Sequence, residues 1–293
     1  MQNVLITGAS SALMQELIKK IDRSKFRVFG ISRNISKIDG LNIEVLIGDI
    51  NDQVFIHNII QDKKIDSIIH AAAITHTRNT ADYFKVNLQG TINLVDAAKG
   101  NNVHTFIFIS SRVAGNKSGD YGLSKLQAED YLKNNFDHWL IIRPSEIYGS
   151  NKNEGIDKLI HDVEQKKIIL CPINVKSKLF PIFYIDAAQA IYELIFDHSY
   201  EKKVITINGL QGFSNYELIK KISTLLNKYI FIIPIPKFLM FIIKWLLEFS
   251  QINAKIVPDQ IPRLYSLKET GLSCSGIQIE DYFKKEHKNK RFT

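Results

Sequence analysis

A phenol and an ammonium stand four residues apart in Tyr121-Gly122-Leu123-Ser124-Lys125, ten residues after the serine pair Ser110-Ser111. On a helix, positions i and i+4 share one face about 5–6 Å apart, so Lys125 can sit beside Tyr121 and lower its pKa through its positive charge. A phenol tuned in this way exchanges a proton near neutral pH. Ser111 follows the apolar run Thr105-Phe106-Ile107-Phe108-Ile109, which reads as a buried strand, and its hydroxyl should emerge at the strand's carboxyl end. Substrates of open α/β sheets bind along that edge. The bland alternative is a packed tyrosine and a solvated lysine that share a helix face by accident.

The elements that must position these groups begin at the amino terminus. Asn3-Val4-Leu5-Ile6-Thr7 is an apolar β-rich run, Gly8-Ala9-Ser10-Ser11-Ala12 a turn of small residues, and Leu13, Leu17, Ile18 and Ile21 recur at helical spacing. A helix reached through such a turn offers free N–H groups and its positive dipole end to a pyrophosphate. Of the three glycines of a dinucleotide fingerprint only Gly8 is present, with Ser11 and Met14 at the other two positions. Candidate strands at 3–7, 26–31, 43–47, 66–70, 104–109 and 138–142 alternate with candidate helices near 11–21, 51–61, 80–99 and 120–135. That alternation predicts an α/β fold, a Rossmann-like doubly wound parallel sheet covered on both faces. Beyond Arg143 the rhythm loosens into a polar loop at 149–155 and a stretch punctuated by six prolines from Pro172 to Pro262. Residues 1–170, with 182–208 returning to them, are expected to form the dinucleotide-binding domain, and 171–293 a smaller substrate-binding lobe.

With 293 residues and 45% apolar content the chain can bury a large core. Cys171 and Cys274 have neither ligand-like spacing nor a disulfide framework, which suits a reducing compartment, and no metal site is expected. The start MQNVLITGAS runs straight into a strand with no signal-peptide pattern, so a cytoplasmic location is expected. The net charge of +8 comes without a nucleic-acid-binding module or interleaved base-stacking aromatics, and no nucleic-acid partner is expected. The apolar segment 238–249 is broken by Lys244 and Glu248 and is too short to span a bilayer. It reads as an amphipathic helix packed on the second lobe, with a peripheral membrane contact the less favoured role.

Taken together, the ordered motifs resemble those of the extended short-chain dehydrogenase/reductases, the NAD-dependent epimerase/dehydratase family. The resemblance rests on Thr7-Gly8-Ala9-Ser10, Gly48-Asp49-Ile50, His70-Ala71-Ala72-Ala73, Val86-Asn87-Leu88-Gln89-Gly90-Thr91, Ser110-Ser111, Tyr121 to Lys125, Arg143-Pro144-Ser145-Glu146-Ile147-Tyr148-Gly149 and Tyr184-Ile185-Asp186-Ala187-Ala188. It implies that Tyr121 is the proton donor or acceptor, that Lys125 tunes it and holds the nicotinamide ribose, and that Ser111 hydrogen-bonds the reacting oxygen. It further implies cofactor contacts from Gly8, Ser10, Ser11, Ala12, Leu13, Asp49, Ile50, Ala71, Ala72, Ala73 and Pro144. Asn87 would brace the active site, its alternative being a buried amide bonded to nearby backbone. Asp186 is read as a helix cap for the run 187–194.

The second strand ends Phe29-Gly30-Ile31-Ser32-Arg33-Asn34 without the carboxylate that would select NAD, and Arg33 suits a 2′-phosphate, so NADP is favoured over NAD. The family's usual substrates imply a nucleotide-activated sugar, and the phrases from Ile142 to Gly149 and from Asp259 to Ser266 resemble 4-ketoreductases and epimerases of bacterial surface-polysaccharide synthesis. Thr75, His76, Arg112, Glu146 and Arg263 are the candidate substrate neighbours, with arginines suited to a diphosphate. Three departures from the family pattern stand out: Met14, Glu146 in place of a phosphate-binding amide, and only nine residues between Ser111 and Tyr121. A non-catalytic NADP sensor and a reductase of a non-nucleotide carbonyl compound are the competing readings. The resemblance also implies a homodimer.

Overall fold

The computed structural model describes residues 1–34, 38, 40–150, 154–249 and 257–289. The elements run β1 (Gln2–Thr7), α1 (Ala12–Lys20), β2 (Phe26–Ser32), β3 (Glu44–Ile47), α2 (Gln53–Asp62), β4 (Ser67–His70) and α3 (Ala81–Tyr83), a π-helical segment (Phe84–Gln89), then α4 (Gly90–Gly100), β5 (Thr105–Ile109), α5 (Gly119–Asn135) and β6 (Trp139–Pro144). There follow β7 (Ile147–Tyr148), α6 (Gly155–Gln165), β8 (Ile168–Pro172), β9 (Ile182–Phe183), α7 (Tyr184–Phe196), β10 (Lys203–Asn208), α8 (Asn215–Leu225), β11 (Phe231–Ile235), α9 (Lys237–Phe249), α10 (Gln260–Tyr265), β12 (Leu272–Ser273) and α11 (Ile279–Asn289).

Eight strands form one sheet in the order β12-β10-β6-β5-β4-β1-β2-β3, with parallel pairing along it. The chain leaves β1 for β2 and β3 on one side and returns through β4, β5 and β6 on the other. The order therefore reverses between β1 and β4, where the carboxyl ends of open α/β sheets bind ligands. The expected Rossmann-like doubly wound sheet is the observed one.

Contacts divide the chain into two compact units, 1–143 with 188–205, and 144–187 with 206–293. In the first, Leu5, Phe29, Ile68, Phe106 and Ile141 of the strands pack with Ile56, Ile60, Leu94, Ala98, Ala128 and Leu132 of α2, α4 and α5. These strands read as continuous apolar runs because both faces of the sheet are covered. Each of these leucine, isoleucine and phenylalanine side chains contributes about 1.5–3 kcal/mol on full burial. The second unit has its own core, built on Tyr148, Ile156, Val163, Leu218, Ile222 and Phe283.

Gly8 ends β1 with φ +69°, and a Cβ there would lie 2.8 Å from Ala71 C and Ala72 N. Both the left-handed backbone and the backbone approach at the switch point require glycine. Met14, at the third fingerprint position, is fully buried in α1.

One expectation needs correction and another is met only on one face of its helix. Asp186 is not a cap, because α7 begins at Tyr184; its carboxylate instead accepts the Ile277 N–H at 2.6 Å and ties α7 to the chain ahead of α11. The segment 238–249 is helical as expected, yet packing on the second unit claims little of it. Met240 is buried and Ile243 half-buried against Ile235 and Ile261, while Phe238, Trp245 and Phe249 remain 68%, 57% and 74% exposed.

Gly8→Ala is expected to destabilise the protein by about 1–3 kcal/mol from backbone strain alone, with the overlap on Ala71 and Ala72 adding to it. Gly100→Ala, where a Cβ meets nothing within 4 Å, should be neutral or stabilising. Urea unfolding of the two variants side by side checks this, and equal stabilities would contradict the strained turn.

Candidate active site

The catalytic candidates gather in the first unit on α5 and the turn before it. Tyr121 and Lys125 are both buried, at 8% and 1% exposure, on the same face of the helix. Between them and the end of β5 the chain turns tightly: Ala114 N–H donates to Ser111 O at 2.9 Å, and Gly115 N–H to Gly122 O at 3.0 Å. Gly122 permits this approach, since a Cβ there would fall 2.3 Å from Ser118 Cβ and 2.5 Å from Val113 O. Ser111 sits two residues beyond β5, half-buried, as the apolar run before it predicts.

Lys125 is the unusual group. Its Nζ donates to Ile109 O at 3.0 Å and lies 3.9 Å above the Phe108 ring. Burial depresses its pKa from 10.5 to about 7, and the Glu129 carboxylate one turn on acts against that fall. Glu129 is itself fully buried. It accepts Ser110 Oγ–H at 2.6 Å, Arg143 Nε at 2.9 Å and Arg143 Nη2 at 2.6 Å, a two-point guanidinium clamp between α5 and β6. Sequence reading missed Glu129. The available signal was the i+4 continuation of the Tyr121–Lys125 face, with Arg143 closing the next strand.

The switch point is joined to this helix by buried hydrogen bonds. Thr91 Oγ1–H donates to Asn87 O at 2.7 Å, so the His70 contact at 3.0 Å is an Nε2–H donated to Thr91 Oγ1. His70 Nδ1 is then the acceptor for the Thr7 hydroxyl at 2.6 Å, and Thr7 Oγ1 in turn accepts Ala71 N–H and Ala72 N–H, each at 3.2 Å. Burial, with the Lys125 charge adding to it, holds the His70 pKa well below the usual imidazole value and keeps the ring neutral. His70 stacks on Phe108 at 5.2 Å and 9°, the same ring that carries Lys125. Asn87, in the π-helical segment, accepts Ile74 N–H at 2.8 Å and donates to Ile74 O at 3.1 Å and Ser124 Oγ at 3.2 Å. Its amide thus bonds backbone and also grips α5 between Tyr121 and Lys125.

Of the cofactor candidates, Ser11 caps α1, accepting Met14 N–H at 3.3 Å, and Ala12 and Leu13 form the first turn of that helix. Gly8, Ser10, Ala71 and Ala72 line the β1 and β4 ends, with Ala73 exposed beside them. Asp49 Oδ1 accepts both the backbone and the side-chain amide of Asn51 at 2.9 Å, and Ile50 is buried. Arg33 is exposed just past β2, and among the described residues no carboxylate directly follows that strand; residues 35–37 and Asp39 lie outside the described residues. The cradle fits a dinucleotide, with a glycine turn that any Cβ would fill and a helix amino terminus ahead of it.

Among the substrate candidates, Thr75 and His76 are half-buried neighbours, with His76 Nδ1 3.2 Å from Thr75 Oγ1, and Arg112 is buried directly after Ser111. Pro144, Glu146 and Arg263 belong to the second unit. There Glu146 accepts Phe180 N–H at 2.9 Å and meets Lys268 Nζ at 3.5 Å, while Arg263 Nε donates to Asp259 at 2.9 Å. The Glu146 carboxylate is thus turned onto its own unit.

A doubly wound sheet with a tyrosine, lysine and serine at its carboxyl edge defines a dinucleotide-binding oxidoreductase scaffold. The sequence model of the NAD dependent epimerase/dehydratase family matches residues 4–202, and the chain belongs to that family. It is 26% identical over 264 residues to a UDP-glucose 4-epimerase of Vibrio cholerae, covering 80% of this chain and 79% of that one. To a dTDP-D-glucose 4,6-dehydratase of Dictyostelium discoideum it is 26% identical over 268 residues, covering 75% of this chain but only 61% of that one. The fold is similar to that of UDP-glucose 4-epimerase from Thermotoga maritima, solved with UDP-glucose, at TM-score 0.74 and 15% identity over all of both chains. It is also similar to the Bordetella bronchiseptica enzyme WbmG, solved with NAD and UDP, at TM-score 0.72 and 15% identity over 99% and 95% of the two chains.

Two outcomes follow from the buried charges. Unfolded lysine titrates near 10.5 and folded Lys125 near 7, so the unfolded chain holds the extra proton between those values and stability rises with pH across that window. Lys125→Met should remove this rise and raise the melting temperature at pH 7 without ligand; an unchanged pH slope would contradict the depressed lysine. Glu129→Gln leaves the Arg143 guanidinium without its counter-charge and should cost about 3–5 kcal/mol in urea unfolding.

Proposed function

We propose that this chain is an oxidoreductase or epimerase of a nucleotide-activated sugar, using NADP in preference to NAD to reduce a 4-keto group or invert C4 in surface-polysaccharide synthesis. The observation that carries the reading is the burial of Tyr121 and Lys125 on one face of α5, which follows Ser111 and the carboxyl end of β5. The substrate class is supported by the names of the relatives, a UDP-glucose 4-epimerase and a dTDP-D-glucose 4,6-dehydratase.

A bound nicotinamide supplies or accepts the hydride. Tyr121 gives its phenolic proton to the carbonyl oxygen as that oxygen gains charge, and takes the proton back in the oxidative direction. Ser111 donates a hydrogen bond to the same oxygen. Lys125 in its charged form stabilises the Tyr121 phenolate left behind, and its position above Phe108 keeps that charge out of bulk water. Asn87 and Glu129 hold α5 in register. Gly8, Ser10, Ser11, Ala12 and Leu13 take the pyrophosphate, Asp49 and Ile50 the adenine side, Ala71, Ala72 and Ala73 the groove between, and Pro144 the nicotinamide side. Arg33 accepts a 2′-phosphate, and Thr75, His76 and Arg112 flank the sugar.

Tyr121→Phe should lower turnover by about 10²–10⁴-fold while NADPH affinity, measured by calorimetry, stays unchanged. Full activity in that variant would sink the assignment. Calorimetry with NADPH and NADH, each repeated with UDP or dTDP present, tests the rest. NADPH should bind more tightly than NADH, Arg33→Ala should erase the difference, and one of the two nucleotides should strengthen cofactor binding.

A further inference from the structure

In α9 both faces are apolar. Met240 and Ile243 face inward, whereas Phe238, Phe241, Ile242, Trp245, Leu246 and Phe249 recur at i, i+3, i+4, i+7, i+8 and i+11 and are all exposed. A stripe at that spacing is the pattern of a core-facing surface, here turned outward. The two-stranded parallel sheet of β8 and β11 just before it does the same. Ile168 pairs with Phe231 and Leu170 with Ile233 in register, and all four are 46–60% exposed on alternate positions of their strands. Exposed apolar surface on this scale marks an interaction site.

The charges around these faces say what covers them. Because β8 and β11 are parallel, the exposed Lys167 and Lys228 that precede them fall at the same end of the sheet. Lys237 lies along one flank of the α9 stripe, within 5.8 Å of the Phe241 ring and 5.4 Å of the Tyr265 ring, and Lys244 on the same flank pairs with Glu248. Aromatic side chains at the centre of a stripe with lysines at its edge suit a headgroup boundary, where rings enter the acyl region and ammonium groups reach the phosphates. A second copy carries the same +8 charge and offers these edge lysines no net counter-charge, which anionic headgroups do. The described helix is too short to cross a bilayer: its 13 residues reach about 20 Å of a core about 30 Å thick.

We propose that α9 and the β8–β11 face seat the second unit on an anionic lipid surface, with the α9 stripe lying in the plane of the headgroups. This docking stands independently of the reaction proposed above.

Flotation of the full chain with vesicles of phosphatidylglycerol and phosphatidylcholine, against vesicles of phosphatidylcholine alone, tests it. Binding should be stronger by about tenfold or more on the anionic vesicles and fall as salt is raised. Phe238→Ser/Trp245→Ser/Phe249→Ser should abolish it, and because these side chains are exposed the variant should keep its melting temperature. Lys167→Glu/Lys228→Glu, which leaves the apolar face intact, should weaken binding to anionic vesicles by about tenfold. Failure of the wild type to float, or equal flotation of the triple variant, would overturn the proposal. So would a concentration-dependent dimer in sedimentation velocity that the triple variant dissolves, which would give the face to a second copy.

Discussion

The first unit is arranged around an ammonium group kept out of water. Lys125 has 1% exposure, and nothing in an apolar interior replaces the hydration it has lost except what the fold brings to it. Three groups do so: the Ile109 carbonyl at the end of β5, the Phe108 ring face, and the Glu129 carboxylate a turn along α5. They recover part of the cost, and the remainder appears as a pKa near 7. A lysine in that state can change charge at neutral pH, which an exposed lysine cannot. The Glu129 carboxylate is in turn held by Arg143 and Ser110, so the clamp between α5 and β6 belongs to the same arrangement.

One buried network joins the turn after β1 to the helix that carries Tyr121 and Lys125. Thr7 at the end of β1 and His70 at the end of β4 meet where the strand order reverses, and the orientation of Thr91 fixes the imidazole tautomer between them. Phe108 lies between His70 and Lys125, so a positive charge on the lysine helps to keep the histidine neutral. The π-helical segment turns Asn87 toward Ile74 and Ser124, which extends the network to α5. Such segments break the regular helical ladder and are frequent at functional sites.

The second unit follows a different logic. Glu146 and Arg263 are engaged within it, by Phe180 and Lys268 and by Asp259, and help to hold its own loops. Its outward apolar residues on α9, β8 and β11 remain 39–74% exposed. A conflict of this kind between local pattern and burial marks function more often than poor folding.

The sequence by itself determined the order of strands and helices in the first unit, because buried parallel strands must be continuous apolar runs and their helices must carry an apolar stripe. It also placed Tyr121 and Lys125 on one helix face and Ser111 just past a strand end, since an i, i+4 pair after a strand end is a local pattern. The Gly8 turn was legible for the same reason. Tertiary structure decided what depends on distant residues meeting: the partners of Glu129, the tautomer of His70, and the role of Asp186, which serves Ile277 91 positions away rather than its own helix. It also decided the fate of α9. Periodicity shows that a helix has an apolar face but not whether the fold supplies anything to cover it, and here the fold supplies Ile235 and Ile261 to the inner face and leaves the outer one open.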